Sequence, residues 1–312
     1  MKDHPSILIA GAGAIGSMVA GEIHKKVESA VSILAGGERL RRYRKESFII
    51  NGEKTQFDYT DVNTTTEPDL VIIACKYHQL TQVITDLNTH IGEKTLILSL
   101  LNGISSEKVI GEAFGPERIP YAMIIGTDAG HVGNRTTFSS PGTIFFGDGT
   151  NSTDKNEWSF RVRTIASIFE HYGINYCVPE NMLNRLWYKF MLNVGVNQTT
   201  AIMRRPYRIF KKGNLLPETK ELLDASMREV ITIAAAEGIT LTEDDIQNVY
   251  TTLDALTDEG KTSMYQDIEA GRKTEVELFS GTICELGKKH GIPVPVNTIL
   301  YRLLRTIEQS YS

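Results

Sequence analysis

Ser6-Ile7-Leu8-Ile9-Ala10 runs directly into Gly11-Ala12-Gly13-Ala14-Ile15-Gly16, and from Ala14 to about Lys26 apolar residues recur at helical spacing. An apolar strand, a G-x-G-x-x-G turn and a helix in immediate succession open a βαβ unit of the dinucleotide-binding kind. Each part has a physical task. The first glycine permits the tight turn, the second lets backbone approach a pyrophosphate, and the third lets the helix lie close to the strand. The helix N-terminus offers free N–H groups to the anion. Three glycines alone are a weak signal, because a glycine-rich turn without ligand reads the same way. The flanking strand and helix supply the meaning. Gly11, Gly13, Ala14, Ile15 and Gly16 are therefore the expected cofactor-binding loop.

Outward from this segment the first half alternates strand and helix. Ala30 to Leu34, Leu70 to Cys75 and Leu96 to Leu100 read as strands, the second apolar throughout, as suits a strand covered on both faces. Phe48-Ile49-Ile50 and Thr55 to Tyr59 flank Asn51-Gly52, a good hairpin turn. After Tyr176-Cys177-Val178-Pro179 nearly every segment reads as helix: Asn181 to Met203, Glu218 to Glu237, Glu243 to Leu256, Thr274 to His290 and Val296 to Gln309. The fold class expected is α/β: an N-terminal Rossmann-type dinucleotide-binding domain, residues 1–178, and a C-terminal all-helical domain, residues 179–312.

Composition narrows the function classes. The chain has 312 residues, 41% apolar and 23% charged, enough for two domains with real cores. Net charge is −5 with both signs interspersed, so no basic face for nucleic acid is expected. No apolar run is long enough for a membrane span, and the first apolar stretch meets glycines too soon for a signal peptide. The three cysteines, Cys75, Cys177 and Cys284, are widely spaced and odd in number, which suits small core residues in a reducing cytoplasm. His78 and His131 lack ligand partners at metal spacing, so no metal site is expected.

The second strand should end in the residue that reads the adenosine ribose: an acid for NAD, a nearby Arg for NADP. Here stands Ala35-Gly36-Gly37-Glu38-Arg39. Glu38 can turn back to a ribose, and Arg39, Arg41 or Arg42 can reach a phosphate, or all can form a solvated helix face. The reading leans to NAD, with NADP as the alternative. Lys76 follows the strand ending at Cys75, and Asn102-Gly103 follows the one ending at Leu100. Both lie where ligands bind in open α/β sheets, although a plain loop and a plain turn would look the same.

A second stretch carries chemistry: Leu186-Trp187-Tyr188-Lys189-Phe190-Met191-Leu192-Asn193-Val194-Gly195-Val196-Asn197. Lys189, Asn193 and Asn197 are four apart and stack on one face of an otherwise apolar helix. An unpaired ammonium in such surroundings costs several kcal/mol in rough terms, so a partner is expected from the protein or from a ligand. Glu275 is one candidate. Its plainer role is that of a first-turn acid in a helix capped by Thr274. Its sharper role is as the carboxylate that keeps Lys189 charged and able to donate a proton.

With Gly11-x-Gly13-x-x-Gly16, Lys76-x-x-Gln79, Asn102-Gly103, Trp187-x-Lys189 with Asn193 and Asn197, and Ser263-Met264-x-Gln266-Asp267 followed by Gly271-Arg272-x-Thr274-Glu275, the chain resembles the ketopantoate reductase family (2-dehydropantoate 2-reductases) nearly end to end. The resemblance implies an active site in a cleft between the two domains. It implies hydride transfer from a reduced nicotinamide to C2 of a branched 2-oxo acid, giving the (R)-alcohol. By matching position, Lys189 is the general acid and Glu275 its orienting partner. Ser263, Asn193, Asn197 and Asn102 face substrate, and Asn102 also lies beside the nicotinamide. Lys76, Gln79 and Glu275 join the cofactor set. A homodimer is the assembly implied.

The departures matter as much. Gly36 stands where the family commonly has an Arg for the NADP 2′-phosphate, Ser280 precedes Gly281 where Asn is usual, and Tyr207 and Gly260 replace two pocket asparagines. Fewer donors and an added ring suit an apolar substrate side chain. The expectation is an NAD-dependent D-2-hydroxyacid dehydrogenase, of the D-mandelate type, acting on a bulky 2-oxo acid. The alternative is an authentic NADPH-dependent 2-dehydropantoate 2-reductase of pantothenate biosynthesis. A catalytically silent dinucleotide sensor would keep the glycine loop but need none of Lys189, Asn193, Ser263 and Glu275.

Overall fold

A computed structural model of the chain describes residues 4–311. Two compact units emerge. One runs to Asn102 and resumes over Ser106–Leu183; the other comprises Gly103–Ser105 and the chain from Asn184 onward.

The first unit begins β1 (Ile7–Ala10), α1 (Ala14–His24), β2 (Val31–Ala35), α2 (Gly37–Lys45), β3 (Phe48–Ile50), β4 (Glu53–Thr55), β5 (Asp58–Asp61), β6 (Leu70–Ile73), α3 (Leu80–Leu87), β7 (Leu96–Ser99) and α4 (Ser106–Phe114). A parallel sheet of order β5-β2-β1-β6-β7 is its frame. Alternate residues of each central strand enter different cores. Ile7, Ile9, Leu70, Ile72 and Leu98 join Met18 and Ile23 of α1; Leu8, Ala10, Val71, Ile73 and Ile97 join Leu80 and Val83 of α3. Both faces are covered, which is why the strands are apolar at every position. This is the Rossmann-type arrangement expected from the alternating pattern.

The remainder of the unit is β8 (Tyr121–Thr127), β9 (Gly130–Val132), β10 (Arg135–Thr137), β11 (Pro141–Gly147), α5 (Phe160–Tyr172) and β12 (Tyr176–Cys177). These strands form two small sheets, β12-β11-β8 and, with the hairpin, β4-β3-β10-β9. The hairpin at Asn51-Gly52 forms, with φ of 50° and 89° at its two turn residues. Its second strand is Glu53–Thr55, not Thr55 to Tyr59. A two-residue turn pairs Ile50 with Glu53 and Phe48 with Thr55, which exhausts the three residues of β3. Phe57 then plunges into the core, edge-on to His24 and Phe48, and Asp58–Asp61 pairs with β2 as the sheet's outer strand.

The second unit is helical: α6 (Met182–Leu192, its first residues in the preceding unit), α7 (Gln198–Met203), α8 (Pro217–Ala236), α9 (Glu243–Ala255), α10 (Ser263–Glu269), α11 (Ser280–His290) and α12 (Pro295–Gln309). Two expectations are corrected here. The helix foreseen over 181–203 is interrupted by a π turn at Asn193–Asn197. The helix foreseen from Thr274 starts only at Ser280, because Phe279 (φ −104°, ψ −94°) breaks the ladder after a 3-10 turn at Val276–Leu278. The three cysteines are half-buried, and Cys75 packs against the core on the α3 face of the sheet. Among the described residues no helix is long and apolar enough to cross a membrane.

His90, between α3 and β7, is fully buried, its Nδ1 2.8 Å from Thr66 Oγ1. Burial pushes its pKa below the ordinary 6.5, and half-buried His131 is shifted the same way. A base held neutral in the folded chain is protonated first in the unfolded chain, so stability drains away as pH falls below about 6.5. Melting temperature should therefore fall between about pH 7 and about pH 5, each such histidine adding at most about 1.4 kcal/mol per pH unit. Thermal melts of His90→Asn across that range should show a shallower decline; an unchanged slope would exclude His90 as a source.

Candidate active site

Because β2, β1, β6 and β7 are parallel neighbours, the residues after their carboxyl ends form one row: Gly36, Gly11, Cys75 with Lys76, and Asn102. Chain order reverses at β1, which has β2 on one side and β6 on the other. That switch point is where open α/β sheets bind ligands.

The three glycines there do different jobs. Gly11 has φ +109°, and a Cβ on it would stand 2.7 Å from the Cys75 amide nitrogen. A Cβ on Gly16 would stand 1.8 Å from the Gly11 carbonyl oxygen, so helix and loop touch through bare backbone. A Cβ on Gly13 would meet nothing within 4 Å. Gly13 precedes α1 without capping it by a side chain, and Ser17 instead donates to the Gly13 carbonyl at 2.5 Å. Two glycines thus serve packing, and the third opens the first-turn N–H groups to an anion. The loop fits a dinucleotide pyrophosphate.

At the end of β2, a Cβ on Gly36 would lie 2.6 Å from Val62 Cγ2, so a longer residue would require Val62 to move. Glu38, Arg39, Arg41 and Arg42 are exposed on α2, with Arg41 3.8 Å from Glu38. Beyond β6, burial pushes the Cys75 thiol up to about 11, against a smaller opposing pull from the charge of Arg39. Lys76 is half-buried, and its backbone N–H donates to Gln79 Oε1 at 3.3 Å, closing a 3-10 turn. Asn102 is half-buried.

In the helical unit, Lys189 lies in the last turn of α6, half-buried and not lacking a partner. Asn193 and Asn197, each 7% exposed, bracket the π turn. Such turns recur at functional sites. Two further segments dock on this helix. Phe190, next to Lys189, meets Phe279 at 6.4 Å between ring centroids, which brings the 275–280 segment alongside. Thr200 and Thr262 share a hydroxyl hydrogen bond of 2.6 Å, which fixes the start of α10. Thr262 caps that helix, and Ser263 is its exposed first residue. Glu275 is 9% exposed and also has a partner. Its neighbour Thr274 donates from backbone and hydroxyl to Glu308 at 2.7 and 2.6 Å, while Arg272 donates to buried Asp267 at 2.9 Å. Elements carrying Lys189, Asn193, Asn197, Ser263 and Glu275 therefore pack on one another. Sequence reading missed the residues behind them, Gln198, Thr199 and Thr200; the available signal was a polar triplet inside an apolar helix. Among the described residues no three metal-ligating side chains gather.

A Rossmann-type sheet with this loop, followed by a helical unit, is the architecture of a dinucleotide-binding protein. Comparison with known proteins makes the class specific. Residues 7–151 match the family model for ketopantoate reductase PanE/ApbA, and residues 181–308 match that for its C-terminal part. The 2-dehydropantoate 2-reductase of Vibrio cholerae is 26% identical over 308 residues, 98% of this chain and 99% of its own. That of Pyrococcus horikoshii is 27% identical over 314 residues, 97% of each chain. Among solved structures, D-mandelate dehydrogenase with NADH has a TM-score of 0.84 at 25% identity, over 98% of this chain and 99% of that one. A dimeric ketopantoate reductase from Staphylococcus aureus, 23% identical over 98% of this chain and 100% of its own, shares the fold with a TM-score of 0.78. The chain belongs to the ketopantoate reductase family.

The glycine geometry separates stability from binding. Gly16→Ala should cost about 1–3 kcal/mol through overpacking and lower the melting temperature. Gly13→Ala should leave the melt unchanged yet weaken NADH binding in a fluorescence titration. Equal stability losses in both variants would refute the division of roles.

Proposed function

We propose that this oxidoreductase uses NADH to reduce the C2 carbonyl of a branched or bulky 2-oxo acid to the (R)-2-hydroxy acid, as a D-2-hydroxyacid dehydrogenase of ketopantoate reductase type. The observation that carries the substrate choice is Tyr207. Its backbone N–H donates to the Gly260 carbonyl at 3.0 Å, and its ring lies 2.8 Å from where a Gly260 Cβ would be. The ring occupies the space a side chain at 260 would need. On the family resemblance, these two positions hold one ring in place of two amides, and their contact makes the two departures neighbours. A pocket so altered favours apolar substituents over a hydroxyl. Burial also pushes the Tyr207 hydroxyl above its ordinary pKa, so the ring stays neutral.

The reduced nicotinamide supplies the hydride when bound. Gly11, Gly13, Ala14, Ile15 and Gly16 would hold the pyrophosphate of the dinucleotide, and Lys76, Gln79, Asn102 and Glu275 would complete its contacts. Ser263 takes the substrate carboxylate, and Asn193 and Asn197 line the pocket. The Lys189 ammonium, oriented by Glu275, hydrogen-bonds the C2 carbonyl oxygen, stabilises the charge growing there and gives it a proton. Gly36, packed against Val62, supports the lean to NAD over NADP, since the resemblance expects a phosphate-reading arginine there. A cytoplasmic homodimer completes the reading, the dimer by analogy with the Staphylococcus aureus relative. The names of the curated relatives favour a second reading, an NADPH-dependent 2-dehydropantoate 2-reductase.

The two readings separate in a substrate-by-cofactor matrix. Benzoylformate or 2-oxoisocaproate with NADH should exceed ketopantoate with NADPH in kcat/KM; the reverse order establishes the second reading. Lys189→Ala should cut kcat by about 10²–10⁴ while NADH still binds, and near-normal turnover would remove Lys189 from catalysis. The pair Tyr207→Asn with Gly260→Asn should move preference toward ketopantoate by roughly 10–100-fold.

A further inference from the structure

An α-helix satisfies each carbonyl with the N–H four residues on; a π turn breaks that ladder and leaves carbonyls in need of other donors. Between α6 and α7 side chains add donors, although the Gly195 carbonyl also accepts the Gln198 backbone N–H. Gln198 Nε2 reaches the Val194 carbonyl at 2.7 Å, Thr199 Oγ1 that of Gly195 at 2.7 Å, and Thr200 Oγ1 that of Asn197 at 2.9 Å. All three side chains are 0% exposed.

Gln198 is anchored in turn. Its Oε1 accepts from the Ser280 backbone N–H at 3.2 Å and from the Ser280 hydroxyl. That hydroxyl also lies 3.4 Å from Asn297 Oδ1. Asn297 Nδ2 donates to the Ser226 carbonyl at 3.1 Å and to Glu229 at 2.8 Å. Glu229 further accepts the backbone N–H groups of Val296 and Asn297 at 2.8 and 2.9 Å. The one Ser280 hydroxyl proton goes to Gln198, and Asn297, held by α8, closes the other side of that hydroxyl, so the first residue of α11 stands between Gln198 and the α8–α12 pair. Burying a primary amide is costly unless both of its ends are satisfied, and a fully satisfied network admits one arrangement. Gly195 completes the fit: a Cβ there would stand 2.8 Å from Met227 Cγ of α8.

We propose that Gln198 is a positioning residue for the substrate pocket, and that Ser280 orients it. By holding the Val194 carbonyl, Gln198 pins the extra residue of the turn between Asn193 and Asn197, so that both amides keep their setting relative to Lys189. A π turn without that donor is free to pass its extra residue along the helix, which rotates one asparagine away from the other. Ser280 has a matching rationale. A small hydroxyl fits the 0%-exposed space between Gln198 and Asn297. The inference rests on the reading that Asn193 and Asn197 meet the oxo acid.

The test uses the purified full-length protein with its best oxo acid and NADH. Gln198→Met, nearly isosteric, removes donor and acceptor; Ser280→Ala removes only the orienting hydroxyl. Expected is a rise in oxo-acid KM of about tenfold for Gln198→Met and about threefold for Ser280→Ala, with the NADH dissociation constant unchanged. A lowered melting temperature with unchanged oxo-acid KM would mark a purely structural role and overturn the proposal. Should Gln198→Met fail to fold, Ser280→Ala decides on the same criterion. Asn193→Ala and Asn197→Ala are assayed alongside. If they raise KM and the Gln198 and Ser280 variants do not, the positioning role alone fails. If they too leave KM unchanged, the pocket assignment fails and takes the positioning role with it.

Discussion

The close backbone approach at the end of β1 is the constraint on which the nucleotide-binding unit depends. Gly11 leaves the strand with a positive φ and lies against the Ala74–Cys75 peptide, and Gly16 brings α1 onto the Gly11 carbonyl with no side chain between. Those contacts set the angle at which α1 leaves the sheet. The same angle lets Met18 and Ile23 reach the core under β1 and β6, and it leaves the first-turn N–H groups uncovered at Gly13. Packing and an uncovered helix N-terminus are thus two consequences of one local geometry.

The helical unit solves a different problem, that of keeping polar side chains in an apolar interior. Its solution is layered. Asn193 and Asn197 stand at the ends of a π turn, the carbonyls of that turn are taken by Gln198, Thr199 and Thr200, and Gln198 and Thr200 are tied to Ser280 and Thr262. The Gln198 amide is met at both ends, by the Val194 carbonyl and by Ser280. Thr262 and Ser280 each begin or precede a helix whose neighbours, Ser263 and the 275–279 turn, carry the proposed chemistry. Helix termini and the proposed pocket residues are therefore held by the same bonds.

Much of this was legible beforehand, and for identifiable reasons. A strand buried on both faces must be apolar at every position, so β1, β6 and β7 announced themselves. The glycine loop did too, because its spacing sits between a strand and a helix. Lys189, Asn193 and Asn197 were visible as a polar line on a greasy helix. The failures also have causes. Nothing local marks where a hairpin strand stops, so Thr55 to Tyr59 was read as one strand although it divides at Phe57, which serves a distant core. Helix 274–290 looked continuous because its apolar period survives the break at Phe279. The π turn was invisible, since one extra residue in a turn leaves the four-residue spacing of Lys189, Asn193 and Asn197 intact on paper.

Periodicity and glycine placement, which act over a few residues, were enough to specify a parallel sheet, a tight glycine turn between strand and helix, and a helical second half. They also singled out the lysine and asparagines at the centre of the proposed chemistry. What periodicity cannot express is satisfaction at a distance. Gln198 finds Ser280 across 82 positions and Asn297 finds Glu229 across 68, and no spacing rule links them. Those bonds exist because a buried polar atom must be met by whatever the folded chain brings near, and only the assembled helices determine what that is.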